Sequence, residues 1–179
     1  EKLAMTEMSQ AQFFFDQAIV AGDYSDSLFN LAINGGEGKY GFLDITKEYK
    51  NTKAANIANY SIGMSYLNLK DYENAIIYLE KFESDDIFLN SIALGSIGDC
   101  FSELSQPNEA FEYYEKAFNS SENSYTSPKF LYKAAVVGSQ IGKNRLAIKY
   151  LKRIKDEFPD SHESTFVDLQ LGRLENIGN

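Results

Sequence analysis

The chain has 179 residues, 44% of them hydrophobic and 24% charged, which is a globular composition with enough length to bury a substantial core. A net charge of −9 argues against binding a phosphate backbone, and no apolar run approaches the ~18–20 residues of a membrane-spanning helix. A single cysteine, Cys100, excludes an internal disulfide, and a single histidine, His162, leaves little for a His-based metal site or triad.

The start at Glu1 rather than Met points to a fragment or a processed product, with a signal peptide or anchor expected to lie upstream if there is one. Met5 to Val20 reads as a long amphipathic helix. Phe13, Phe14 and Phe15 cannot all face one side of it, so at least one needs a partner outside its own hairpin. Gly22 to Gly36 is an insertion predicted to carry a short helix over 25–33. Phe42, Ile45 and Tyr49 then form the stripe of another helix, with Gly38 in its small-residue slot. Residues 1–52 thus read as a divergent first repeat with an insertion at 22–36.

From residue 53 the chain repeats itself, and the divisions fall at 53–88, 89–124 and 128–161. Ala75, Ala110 and Ala147 are 35 and 37 residues apart. Four residues on stand Leu79, Tyr114 and Leu151, and three further Phe82, Ala117 and Ile154, a spacing that places each trio on one helical stripe. Twelve residues before the alanines lie Gly63, Gly98 and Ala135. These small residues are expected where two helices of a hairpin cross closely. Tyr66 and Phe101 follow three later, where the last copy has Gly138. Asp71, Asn108 and Asn144 mark turns opening second helices, and Pro107 suits a helix N-terminus. Ser120 to Pro128 is a polar connector, expected to be the mobile loop. Residues 162–179 complete the single domain as a capping helix, with Phe166, Leu169 and Leu174 covering the last repeat. Residues 128–179 carry nine Lys/Arg against six Asp/Glu, while the rest of the chain has a balance of −12.

The small residue and aromatic in each first helix, followed by Ala and a bulky residue in each second helix, resemble the tetratricopeptide repeat family. The likeness covers about residues 53–161, ends at Phe158-Pro159, and departs from the family pattern at Asn59 and Gly138. It implies an all-α, right-handed α-α superhelix of about four helix-turn-helix repeats with a C-terminal capping helix. It also implies a concave groove lined by first helices. The register places Tyr60, Met64 and Asn68 there from the second repeat, Ser96, Asp99 and Glu103 from the third, and Lys129, Tyr132, Lys133 and Gln140 from the fourth. Family members that bind chaperone tails clamp a C-terminal carboxylate with Lys and Asn at matching positions. Asp99 and Glu103 would repel such a tail. Tyr, Met and carboxylates suit an extended or helical segment with apolar anchors.

Gly36-Glu-Gly-Lys-Tyr-Gly41 matches G-x-G-x-x-G but lacks the preceding strand and βαβ unit that phosphate binding requires, and Tyr40 after Lys39 excludes a P-loop. Cys100 reads as a small buried hydrophobe and His162 as a solvated or capping turn residue. Asp85/Asp86 and Asp156/Glu157 fall at helix ends, without the surroundings of an acid/base pair. Lys149, Lys152, Arg153 and Lys155 lie opposite the buried stripe, on a solvated outer face or one that meets an acidic partner or membrane headgroups. No catalytic residue, metal or cofactor is assigned, so the expected function is non-catalytic: a scaffold or adaptor holding another protein or peptide, with no nucleic-acid partner. The alternative is self-assembly, a homodimer through the N-terminal helix or a solenoid end. The ending of the last repeat looks like bacterial members of the family, several of which serve envelope assembly or chaperone networks. This suggests either the cell envelope, on the periplasmic side, or the cytoplasm.

Overall fold

Thr52, Asp71 and Asp86 each precede a helix and accept hydrogen bonds from its first amides: Ala55 N at 3.1 Å, Asn74 N at 3.3 Å, and Phe88 N and Leu89 N at 2.9 and 3.0 Å. Such caps satisfy donors that the first helical turn cannot pair internally. The structure, a computed structural model, describes residues 1–36, 38–120 and 122–177. Glu37 of the glycine-rich loop, Ser121 of the polar connector and residues 178–179 lie outside the described residues. The described residues are helices and turns, with one isolated bridge between Gly36 and Lys39. They form two compact units, Glu1–Glu83 and Ser84–Asn179.

The first unit contains α1 (Lys2–Val20), a 3-10 turn (Gly22–Tyr24), α2 (Ser25–Asn34), α3 (Phe42–Glu48), α4 (Lys53–Asn68) and α5 (Tyr72–Leu79). α1 begins earlier than its apolar pattern does, because the Glu1 carboxylate accepts hydrogen bonds from Lys53 N and Ala54 N, the first amides of α4. Ala4, Met8 and Ala11 of α1 meet Phe42 and Ile45 of α3 and Ala54, Ala58 and Ile62 of α4 in one buried cluster. Each large side chain buried this way contributes about 1.5–3 kcal/mol. The three phenylalanines of α1 divide as their spacing requires. Phe15 packs edge-on against Phe29 of α2 and Phe42, at 5.9 and 6.1 Å, so the insertion helix supplies the outside partner. Phe14 covers the cluster, and Phe13 remains 54% exposed. Gly38 departs from its expected role: it lies exposed in the turn ahead of α3, at φ +73°, and occupies no helix crossing. Phe82 also lies beyond its expected helix, since α5 stops at Leu79, yet a turn bonding Phe82 N to Leu79 O keeps the ring buried.

The second unit contains α6 (Ile87–Glu103), α7 (Pro107–Ser120), α8 (Ser127–Gln140), α9 (Asn144–Glu157) and α10 (Ser164–Ile177), each packed on the next. Its core runs from Phe111, Tyr114 and Phe118 through Phe130 and Leu131 to Leu151 and Ile154. The Gly138 gap is filled by Phe111, whose ring would lie 2.9 Å from a β-carbon there. The connector ahead of α8 carries a hydrogen-bonded turn at 124–126. Asn123 Oδ1 accepts from Tyr125 N and Thr126 N, and Thr126 and Ser127 are buried. α10 corrects the expected cap. Val167 and Leu174 are buried against α8 and α9 with Leu171 beside them, whereas Leu169 is 58% exposed. Spacing of four and three from Val167 defines the inward stripe, which keeps Leu174 of the expected set, puts Leu171 in place of Leu169, and leaves the exposed Phe166 ring against Tyr132.

Candidate functional site

In the hairpins α4–α5 and α6–α7 the small residue and the bulky residue meet across the crossing. A β-carbon at Gly63 would stand 2.5 Å from Leu79 Cγ, and one at Gly98 would stand 2.7 Å from Tyr114 Cδ1. With the hairpin faces this close, the remaining faces of the first helices α4, α6 and α8 carry the predicted site residues.

In the first unit, α1, α2 and α4 enclose an open cleft of about 380 Å³. Met64 and Asn68 lie one turn apart on its α4 wall, opposite Phe15 and Ile19 of α1 and Phe29 of α2. Asn68 Nδ2 donates to Met64 O at 2.8 Å, so the amide extends the helix rather than reaching outward. Tyr60 is placed elsewhere: its ring packs on Phe82 at 5.0 Å, and burial raises its hydroxyl above the ordinary tyrosine range. The α1 and α2 members of the cleft escaped the sequence register because they precede the segments that repeat at a fixed spacing. The aromatic run at 13–15 was the available signal.

In the second unit, Asp99 and Lys133 are brought together. Lys133 Nζ donates to both carboxylate oxygens, at 2.6 and 2.7 Å, and the Tyr114 hydroxyl donates to Oδ1 at 2.7 Å. Both charged side chains are about one third exposed, at 31 and 32%. Burial, reinforced by the Asp99 charge, pushes the Tyr114 hydroxyl far above its usual range, which keeps it a proton donor. Asp99 therefore presents a neutralised pair, and the repulsion expected from it is offset by Lys133. Tyr114 is the member missed from sequence, where its place in the buried stripe concealed its polar end.

The other predicted residues are dispersed. Ser96 is buried at 7% exposure, while Glu103, Lys129 and Gln140 are exposed. Lys129 Nζ lies 5.5 Å from the Phe130 ring centroid. Tyr132 is engaged by α10: its hydroxyl accepts from Gln170 Nε2 at 3.2 Å, and its ring meets Phe166 at 6.1 Å. On the outer side of α9, Arg153 bonds Glu122 and Glu157, and Lys155 bonds Asp168.

Cys100 is fully buried, and burial, with the Asp99 charge added, pushes its thiol up to about 12. His162 is exposed, with its ring edge-on to Phe166 at 5.1 Å. In the glycine-rich loop, Gly35 and Gly41 abut so closely that a β-carbon on Gly41 would lie 2.2 Å from Gly35 N. The two ends of the loop are thus held together at Gly35 and Gly41. Among the described residues, no group of three His, Cys, Asp or Glu could hold a metal ion.

No curated protein matches the chain. A tetratricopeptide repeat model matches residues 58–84 and 92–124, and a second model of that description matches 130–161. These segments are the three hairpins α4–α5, α6–α7 and α8–α9, and together they span just over half the chain. On that match and on the tight crossings at Gly63 and Gly98, the chain belongs to the tetratricopeptide repeat family.

Proposed function

We propose that the protein is a non-catalytic scaffold or adaptor that holds a polypeptide segment on the exposed faces of its first helices. Tetratricopeptide repeats generally mediate protein–protein interaction. The observation that carries the reading for this chain is the open cleft of the first unit. Phe15, Ile19, Phe29 and Met64 give it an apolar wall, which suits an anchoring side chain of a bound segment. Methionine contributes a polarizable surface that adapts to varied anchors. Within the second unit, taken by itself, Glu103, Lys129 and Gln140 are exposed polar residues of α6 and α8, and the Asp99–Lys133 pair adds donors and acceptors with no net charge. Tyr60 and Tyr132 act in this reading by fixing the shape of the surface, because each already packs on a neighbour. The division into a divergent first repeat, three regular repeats and a capping helix is part of the same proposal.

A photo-crosslinking residue in place of Met64, in cells that make the protein naturally, tests it. The expected result is capture of a defined protein that falls about tenfold or more when Ile19→Glu is added with helicity preserved. Capture unchanged by Ile19→Glu removes the cleft from the binding surface.

A further inference from the structure

Opposite charges are segregated along this chain to an unusual degree. No Asp or Glu occurs between Glu122 and Asp156, a stretch holding eight Lys/Arg, and no Lys or Arg occurs between Lys2 and Lys39, a stretch holding five Asp/Glu. The fold places three members of each set on one exposed strip or corner. On α9, Arg145, Lys149 and Lys152 follow one another at spacings of four and three, which aligns them on the side facing away from Ala147, Leu151 and Ile154. All three are exposed, and among the described residues none lies within 4.0 Å of a carboxylate, whereas Arg153 and Lys155 beside them are paired. They border a shallow depression of about 470 Å³ whose apolar member is Ile148. Leu146 adds a 36% exposed side chain on the flank.

The corner where α1 passes into α2 is its counterpart. Asp16 and Val20 lie one turn apart on α1, Asp23 and Tyr24 occupy the 3-10 turn, and Asp26 stands in the first turn of α2. The three aspartates are exposed and lack ion-pair partners among the described residues. Val20 and Tyr24 are 77 and 78% exposed.

We propose that these two surfaces dock on each other between copies of this chain, the basic strip of α9 in one copy resting on the Asp16–Asp26 corner of the next. The contact is heterologous, so it builds open chains or rings rather than a closed two-fold dimer. Exposed ion pairs contribute little by themselves, and Val20 and Tyr24 meeting Ile148 and Leu146 supply the apolar burial such a contact needs. A second copy fits better than an anionic membrane. The strip is one helix wide and ends at Asp156 and Glu157, and a bilayer would face the rest of a chain of net charge −9. The corner adjoins the cleft at Met64, whose lining includes Ile19, Gly22 and Ser25, but the charge-reversing substitutions below change no residue of that lining, so the two proposals fail separately.

Sedimentation velocity of the full chain over a range of concentrations tests it, at about 50 mM and about 500 mM NaCl. The expected result is concentration-dependent association that weakens by about tenfold or more at the higher salt. Lys149→Glu with Lys152→Glu gives a monomer, and so does Asp23→Lys with Asp26→Lys. Mixing the two variants restores association, because each then offers the charge the other needs. Helicity by circular dichroism verifies both folds, and Lys149→Gln with Lys152→Gln replaces the first variant if it fails. A wild-type monomer at about 100 μM, association that strengthens with salt, or failure of the mixture to associate overturns the proposal. So does a monomer that binds phosphatidylserine vesicles through Lys149 and Lys152, which reassigns the strip to membranes.

Discussion

Gly63 and Gly98 trade helix propensity for close approach. Glycine inside a helix costs about 1 kcal/mol relative to alanine, so replacement would stabilise wherever the space is empty. Here it is not: the new methyl at Gly63 would lie 2.5 Å from Leu79 Cγ and 3.1 Å from Leu79 N, so both side chain and backbone would have to move. Overpacking of that kind costs about 1–3 kcal/mol and outweighs the gain in propensity. Gly63→Ala is therefore expected to lower the unfolding free energy by about 1–2 kcal/mol in urea titrations. Gly172 supplies the opposite sign within the same protein. A β-carbon there meets nothing within 4 Å, and Gly172→Ala on α10 is expected to stabilise by about 0.5–1 kcal/mol. Stabilisation by both changes would show that the Gly63 crossing has room to spare. The glycine at 63 was legible from its offset to Ala75, because a repeated small residue has few other causes. The hydrogen bond from Tyr114 to Asp99 was not, since it joins positions fifteen residues apart on two helices whose relative rotation no offset records.

The three hairpin turns share a backbone pattern that their sequences hide. Lys70, Ser105 and Gly142 each lie five residues before the marker alanine, and all three have positive φ, at 61°, 58° and 76°. In each turn the next amide bonds back to the carbonyl five residues earlier: Asp71 to Tyr66, Gln106 to Phe101 and Lys143 to Gly138, at 2.9, 2.9 and 2.8 Å. This is the left-handed closing residue of a helix C-terminus, where glycine avoids a clash costing about 1–2 kcal/mol. Ser105 is exposed, and its left-handed conformation is required by the turn whatever side chain it bears. Ser105→Gly is thus expected to raise the thermal midpoint, by about 1 kcal/mol of stability, and Asp99–Lys133 geometry is unaffected. An unchanged or lowered midpoint would mean that the serine turn is unstrained. Glycine at only one of the three turns is why the alignment exposed the helices but not this recurrence. The elements themselves were readable where periodicity was strong, including the insertion helix at 25–34. Errors gathered where a side chain decides alone. The phase of α10 depended on choosing Val167 over Phe166 in a segment apolar at both, and the Gly38 slot dissolved once a turn claimed that residue.

Each of the two units has a hydrophobic core of its own. The first draws on Ala4 to Ile62, and the second on Ala110 to Leu174. Repeat proteins distribute stability over neighbouring hairpins, so a stretch that retains its own hairpins and a terminal cap retains most of what holds it together. The second unit has these parts: two hairpins, α6–α7 and α8–α9, sealed by α10 through Val167 and Leu174. It also begins with its own helix cap, since Asp86 accepts from Phe88 N and Leu89 N and is itself held by Ser84 Oγ at 3.0 Å. Ending the first unit at Glu83 likewise keeps its own tie, because Asn56 bonds the Glu83 amide and carbonyl at 3.0 and 2.7 Å. A chain of residues 84–179 is therefore expected to fold alone, with a helical circular-dichroism spectrum and a cooperative urea transition. Removing α10 from it, by ending at residue 161, takes away the part of the core that Val167 and Leu174 fill and is expected to cost about 2–4 kcal/mol, roughly two buried aliphatic side chains. The two measurements separate distinct failures. Loss of helicity in 84–179 would mean that the second core needs the first. A stable 84–161 fragment would mean that α10 only rests on a hairpin array already closed without it.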